Sequence, residues 1–408
     1  MAKTIALIST IQPVDGGVPS MTRWVCRLLE EVEITPILAW YAPWRNYPQL
    51  SVPSYKIISR KPGYVNKTGL LRYDGVGIGA WFPELEFTHY LPTRKWKELI
   101  FSCDLHLSVS GNPLCATPYM LLKIPFMAWI ATPWDADRVN RVNQFGLSRR
   151  FLDNIINKPV LSMIEKKILS SGFGQIIPLS NYTSKEFQKI SGRTIDQVML
   201  MPINTRLFYP EPARTRPWRI GFSGRYCDPR KNIRLLLHAT RLIQVWGYDV
   251  EIILVGERNY HHLVPVIQEF HVEGKVKCYG HMEPNELASM LQTFDLFIIP
   301  SFQEGLCISA LEAMACGVPI ISTRCGGPED YVLPNRTGEL VESNPTMVAT
   351  AVIDLCLDRE RRNTLSRNCS EWIQNNASEN RSRSIFRSQL TQLQSRSKPT
   401  GQLHRVPL

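Results

Sequence analysis

Two glutamates, Glu304 and Glu312, stand eight residues apart in PSFQEGLCISALEAMACGVPIIS, residues 300–322. The preceding DLFIIPS reads as a strand, and ALEAMACG reads as a helix closed by Gly317. A helix beginning near Leu306 or Cys307 leaves the amides of Gly305, Leu306, Cys307 and Ile308 free to meet an anion above the strand end. Glu312, about a turn and a half into that helix, leans back toward the same place, because helical side chains tilt to the N-terminus. Glu304 stays in the loop. The carboxylates therefore do not form a close acid–base dyad; they would contact different parts of one extended ligand. Each needs donors beside a bound phosphate, and sugar or ribose hydroxyls supply them. Plainer readings exist: Glu304 as a favourable charge at a helix N-terminus, and Glu312 as an exposed helical residue. The apolar neighbours Leu311, Ala313, Met314 and Ala315 favour the ligand for Glu312.

A second constellation lies in WRIGFSGRYCDPRKNIRLLLHATRLI, residues 218–243. Gly224 closes a strand, Arg225 and Lys231 stand six residues apart across a loop containing Pro229, and a helix with Leu235, Leu236, Ala239 and Leu242 follows. Two cations there can neutralise a diphosphate and suit a leaving group that gains charge as its bond breaks. Near the N-terminus, Asp15-Gly16-Gly17-Val18-Pro19-Ser20 joins a first strand to the helix MTRWVCRLLEEV. Gly16 and Gly17 let the backbone approach a ligand, although a tight turn accounts for them equally well. The turn is not GxGxxG, so it gives no support to a dinucleotide site.

Short β-branched runs alternating with amphipathic segments must position these residues, which is the form of parallel α/β units. TIALIS, ITPILAWY, CDLHLSVS, PFMAWIA and QIIPLS make one series; WRIGFSG, VEIILVG, KVKCYG, DLFIIPS and VPIIST make another. Between them MPINTRLFYPEPARTRPWR carries prolines at 202, 210, 212 and 217, a linker composition. The expected division is 1–203, 204–385 with a last helix crossing back to the first domain, and a disordered basic tail over 386–408. Residues 42–100, less regular and holding Tyr73, Trp81, Phe82, Tyr90 and Trp96, read as an insertion packed on the first domain rather than an acceptor platform.

With 408 residues, 44% hydrophobic and 20% charged, the chain has the composition of a globular protein of about two domains. No apolar run approaches the ~18 residues that cross a bilayer, and the N-terminus reads as a buried strand rather than a signal peptide. Ten scattered cysteines without CxxC pairs read as reduced core thiols of a cytoplasmic protein, not as zinc ligands. The net charge of +11 favours anionic partners, and with no zinc-finger, RRM or KH pattern nucleic acid is not expected. RVNRVNQFGLSRRFLDNIINKPVLSMIEKKIL combines basic residues with Phe145, Leu147, Phe151, Leu152, Ile155 and Ile156. Peripheral contact with an anionic membrane, on its cytoplasmic face, and an ordinary solvated helix face both fit this pattern.

EGLCISALEAMACGVPIIS resembles the Glu-x7-Glu motif of family 4 retaining glycosyltransferases with the GT-B fold, the glycosyl transferases group 1. SGRYCDPRKN resembles their donor-phosphate motif, FGQIIPLSNYTSKEF their last N-domain strand and helix, and GGPEDYVLPNRTGELV the region closing the donor site. The resemblance is dense over residues 175–341 and thinner before them. It implies two Rossmann-like domains facing each other across a deep cleft, and transfer of a hexose from a nucleotide-sugar to a sugar or lipid-linked acceptor with retention and without a metal or cofactor. Arg225 and Lys231 would hold the diphosphate, Glu312 the ribose and Glu304 the sugar hydroxyls, with Arg225, Lys231 and Glu304 serving the chemistry. Gly16 and Gly17 would lie across the cleft. Where many members carry a His, PFMAWIATPWDADR has none, and Thr132 or Asp135 would occupy that space. Cys307 replaces a common glycine, and Asn204 replaces the usual Asp of the linker. A non-catalytic nucleotide-sugar-binding protein, or a nucleotide-sugar epimerase on the same fold, are the alternatives.

Overall fold

A computed structural model describes residues 4–11, 16–58, 60–142, 146–195, 197–211, 218–257 and 259–397. Asp15, Phe145, Pro212, Pro217 and the end of the expected tail, residues 398–408, lie outside the described residues.

The β-branched runs form two sheets. The first contains β1 (Ile5–Thr10), β2 (Thr35–Tyr41), β3 (Tyr64–Leu70), β4 (Tyr73–Ile78), β5 (Leu105–Ser110), β6 (Phe126–Ile130) and β7 (Gly174–Pro178), in the order β3-β4-β2-β1-β5-β6-β7. The second contains β8 (Trp218–Ser223), β9 (Val250–Val255), β10 (Val276–Tyr279), β11 (Leu296–Ile299), β12 (Ile320–Thr323) and β13 (Gly338–Val341), in the order β10-β9-β8-β11-β12-β13. Every pairing is parallel except β3 with β4. Helices cover both faces, so β6 (FMAWI) and β11 (LFII) are buried along their whole length and read as continuous apolar runs. The strand order reverses between β1 and β5 and again between β8 and β11. Ligands bind beyond the carboxyl ends of strands at such points, and there the Gly16-Gly17 turn and the Gly224–Lys231 loop begin.

Three features differ from expectation. Residues 42–100 are not an irregular insertion: they supply β3 and β4 to the first sheet. The hairpin turn places Leu71 and Arg72 both at positive φ, 51° and 74°, a geometry usually marked by Asn-Gly. Without that pair the sequence carries no hairpin signal. β13, the four residues GELV, is too short for a period to show. The expected disordered tail is corrected over 386–397: a helix runs from Glu379 to Ser397 and buries Phe386, Leu390 and Leu393. Spacing of four and three residues puts these on one face. Phe386 meets Trp24 edge-on at 5.9 Å, and Gln392 accepts a hydrogen bond from Gln175, so this helix lies on the first domain. Its entry is fixed by the Ile203 amide donating to Ala377 O at 3.0 Å.

All ten cysteines are free. Among the described residues no helix is long and apolar enough to cross a membrane.

Candidate active site

β8 ends at Ser223, and Gly224 turns the chain at φ 147°, which favours glycine. Asp228 then caps the short turn Pro229–Lys231, its Oδ1 accepting from the Arg230 amide at 3.1 Å while its Oδ2 holds the Arg230 guanidinium at 2.9 Å. The turn carries Lys231 inward, where its Nζ donates to Glu304 Oε1 at 2.5 Å. Ser301 Oγ donates to the same oxygen at 2.6 Å. Burial opposes the ammonium charge, but the Glu304 carboxylate outweighs it and holds Lys231 above the usual lysine range. Arg225 is exposed instead, its guanidinium 3.5 Å from Asp228. One loop thus presents Lys231, mostly covered, and Arg225, exposed.

The helix of the first constellation starts at Ile308, slightly later than expected, because Cys307 adopts φ 64°, ψ 76° at its N-cap. That left-handed conformation is held by neighbours. Tyr331 Oη donates to Leu306 O at 2.7 Å, and Ser309 Oγ donates to Ser223 O at 2.6 Å, tying the helix start to the end of β8. Gly327 packs so closely that a Cβ on it would lie 2.1 Å from Gly305 O. With the backbone fixed, the amides of Gly305, Leu306, Cys307 and Ile308 have no hydrogen-bond partner among the described residues. They form an anion-binding end of the kind helix N-termini provide. Burial pushes the Cys307 thiol up to about 12, leaving it protonated and inert. Glu312 is half-buried, its carboxyl has no hydrogen-bond partner among the described residues, and burial raises it to about 7.

The first domain closes over this loop. A Cβ on Gly17, at the start of the helix Gly17–Glu31, would lie 3.2 Å from Ile308 Cδ1. Two helix N-termini therefore meet across the cleft, and their positive dipole ends converge on one space. A Cβ on Gly305 would lie 2.4 Å from Ala131 O and 3.3 Å from Thr132 Cβ, and Gln303 Nε2 donates to Thr132 Oγ1 at 3.0 Å. Asp330 accepts from the Tyr182 amide at 3.1 Å, a further bridge between domains. Thr132 thus stands at the cleft. Asp135 does not share that contact: it is half-exposed and pairs with Lys158 at 3.3 Å.

The structure brings Lys231, Glu304, Gly305, Ile308, Gly17 and Thr132 together, with Gly16 one residue away at the N-cap of its helix. It adds Ser301, Gln303, Tyr331 and Asp330, which the sequence reading missed. Ser301 falls within the opening motif, but no spacing rule marks it. Tyr331 reads only as an apolar residue until its hydroxyl is placed under the Leu306 carbonyl. Cations, free amides and a hydroxyl-seeking carboxylate around one cleft can hold a diphosphate whose sugar and ribose lie on either side of it.

Residues 205–372 match the family model for glycosyl transferases group 1. Both motif constellations of the second domain fall inside that stretch. Over 212 residues the chain is 27% identical to an uncharacterized glycosyltransferase of Methanocaldococcus jannaschii, covering 50% of this chain and 56% of that protein. The chain spans about half the length of the curated relatives it matches. Sucrose-phosphate synthase from Thermosynechococcus elongatus superposes with a TM-score of 0.74 at 19% identity, covering 97% of this chain and all of that one, 100%. HepE of Anabaena in complex with UDP-glucose superposes with a TM-score of 0.67 at 14% identity, covering 95% and 99%. The fold is GT-B, two Rossmann-like halves about a cleft.

Proposed function

We propose that the chain is a family 4 glycosyltransferase that moves a hexose from a nucleotide-diphosphate sugar to an acceptor hydroxyl with retention of configuration. The acceptor would be a glycan, a polysaccharide precursor or a glycolipid. What carries the reading is the convergence of the buried Lys231–Glu304 pair with the unpartnered amides of residues 305–308 opposite Gly17. The match of residues 205–372 and the UDP-glucose bound by a protein of the same fold agree with it.

In this reading Arg225, Lys231 and the amides hold the diphosphate, Glu312 takes the ribose and Glu304 the sugar. The acceptor oxygen bonds to the anomeric carbon as the carbon–oxygen bond to the diphosphate breaks, and the acceptor proton leaves with the diphosphate. Charge that develops on the departing oxygen falls where fixed cations and amides already point, so no reorganisation is required. The same groups supply the stabilisation a divalent metal would give, and turnover is expected to persist in EDTA.

The test is transfer from labelled donor to glycan and lipid extracts, with the product anomer assigned by NMR. An inverted product would rule out the retaining assignment, and donor binding without transfer to any acceptor would leave only a nucleotide-sugar-binding protein.

A further inference from the structure

The helical run beyond the cleft loop bears an apolar stripe. It comprises Leu147–Leu152, the π-turn Asp153–Asn157 and the helix Lys158–Leu169, about 35 Å in all at the helical rise. Leu161, Ile164, Ile168 and Leu169 are buried on its inner side. On the outer side Leu147 is 83% exposed, Phe151 70%, Ile155 57% and Met163 49%. Leu147, Phe151 and Ile155 follow one another at spacings of four, the neighbour spacing on a helix, and Met163 lies about two turns beyond Ile155. A single exposed leucine is ordinary, but four exposed large apolar groups on one helical run are not.

Within the run the exposed charges are all basic. Both carboxylates of the run are buried and engaged: Asp153 by Arg138, and Glu165 by the Trp134 amide at 2.8 Å. The exposed charges are Arg149, Lys158, Lys166 and Lys167, of which Lys158 pairs with Asp135 of the cleft loop. The neighbouring helix Thr117–Leu121 packs on Lys158–Leu169 and adds exposed Leu121, with Lys123 just beyond it. At the far end Arg193 and Arg396 donate to the carbonyls of Ser171 and Gly172, beside partly exposed Phe173.

We propose that this face docks on an anionic lipid bilayer. Apolar side chains entering the acyl boundary, with lysine stems reaching the phosphates above them, match both its shape and its charge. A second copy fits less well, because a two-fold contact would set Lys166 and Lys167 against like charges. Glu165, on the docking helix, holds the Trp134 amide two residues from Thr132, so the membrane face and the cleft loop share one rigid support. This inference rests on the exposed face alone and stands apart from the sugar-transfer reading.

The test is co-sedimentation of the full chain with phosphatidylcholine vesicles, with and without phosphatidylglycerol, at low and high salt. Binding is expected only to the mixed vesicles and weakens with salt. Lys166→Glu/Lys167→Glu lowers the partition coefficient by on the order of tenfold or more, and Phe151→Ser/Ile155→Ser lowers it by at least about tenfold. Each variant should keep the wild-type melting temperature, since the side chains are exposed. Equal binding by all proteins, or no binding of wild type at low salt, overturns the proposal. So does a lipid-free dimer that Phe151→Ser dissolves, which would assign the face to self-association.

Discussion

Glu312 joins the site's geometry to an observable pH effect. Burial holds its carboxyl at about 7 in the donor-free protein, above the ordinary value of 4.5. The folded chain therefore keeps a proton that the unfolded chain releases, and stability present below pH 4.5 declines as pH rises through 7. Ribose hydroxyls favour the ionised form, so donor affinity is expected to rise with pH toward a plateau above 7, with proton uptake by buffer detectable in calorimetry. Glu312→Gln should flatten that profile, and a profile unchanged by the substitution removes Glu312 from the ribose. Lys231 and Glu304 make a second test. Breaking a buried pair from one side costs about 3–5 kcal/mol, so Lys231→Met should lower chemical stability strongly. Adding Glu304→Gln should restore much of it without restoring turnover, which separates the pair's structural role from its chemical one. These residues were legible because their types are costly to bury and their spacing fixed them at strand ends. Asp135 was not separable from Thr132 by sequence, because only packing shows that one meets Gln303 and the other Lys158.

At the scale of elements, the site depends on how the loop from Ser301 to Cys307 is pressed between domains. Gly305 has no room for a side chain, since its Cβ would lie 2.4 Å from a backbone oxygen of the opposite domain. Gly305→Ala is expected to cost roughly 1–3 kcal/mol, the range for overpacking, and to weaken donor binding by displacing the amides. A melting temperature and donor affinity equal to wild type would show that the domains do not close here. Most strands announced themselves as short β-branched or apolar runs, so ten of the thirteen among the described residues were visible in sequence. β3 and β4 were hidden by a turn made from Leu71 and Arg72, and β13 by its length.

For the whole molecule, two domains are tied by the return of the helix Glu379–Ser397 and bridged at Thr132, Gly17 and Asp330. Residues 386–397 of the return helix looked disordered because Ser, Arg and Gln fill most of them, and three buried apolar residues suffice once Trp24 lies opposite. The relative placement of the domains is the least legible part, since it depends on contacts between residues more than a hundred positions apart. The central claim is that this cleft holds a nucleotide-diphosphate sugar through the second domain. It is tested most directly by thermal unfolding with UDP-, GDP- and ADP-sugars, for wild type and for Arg225→Ala/Glu312→Ala. A ligand at 100 times its Kd adds about 2.7 kcal/mol, a rise of several degrees for one nucleotide class in wild type, largely lost in the double variant. No rise with any class, or an equal rise in the variant, would contradict the account.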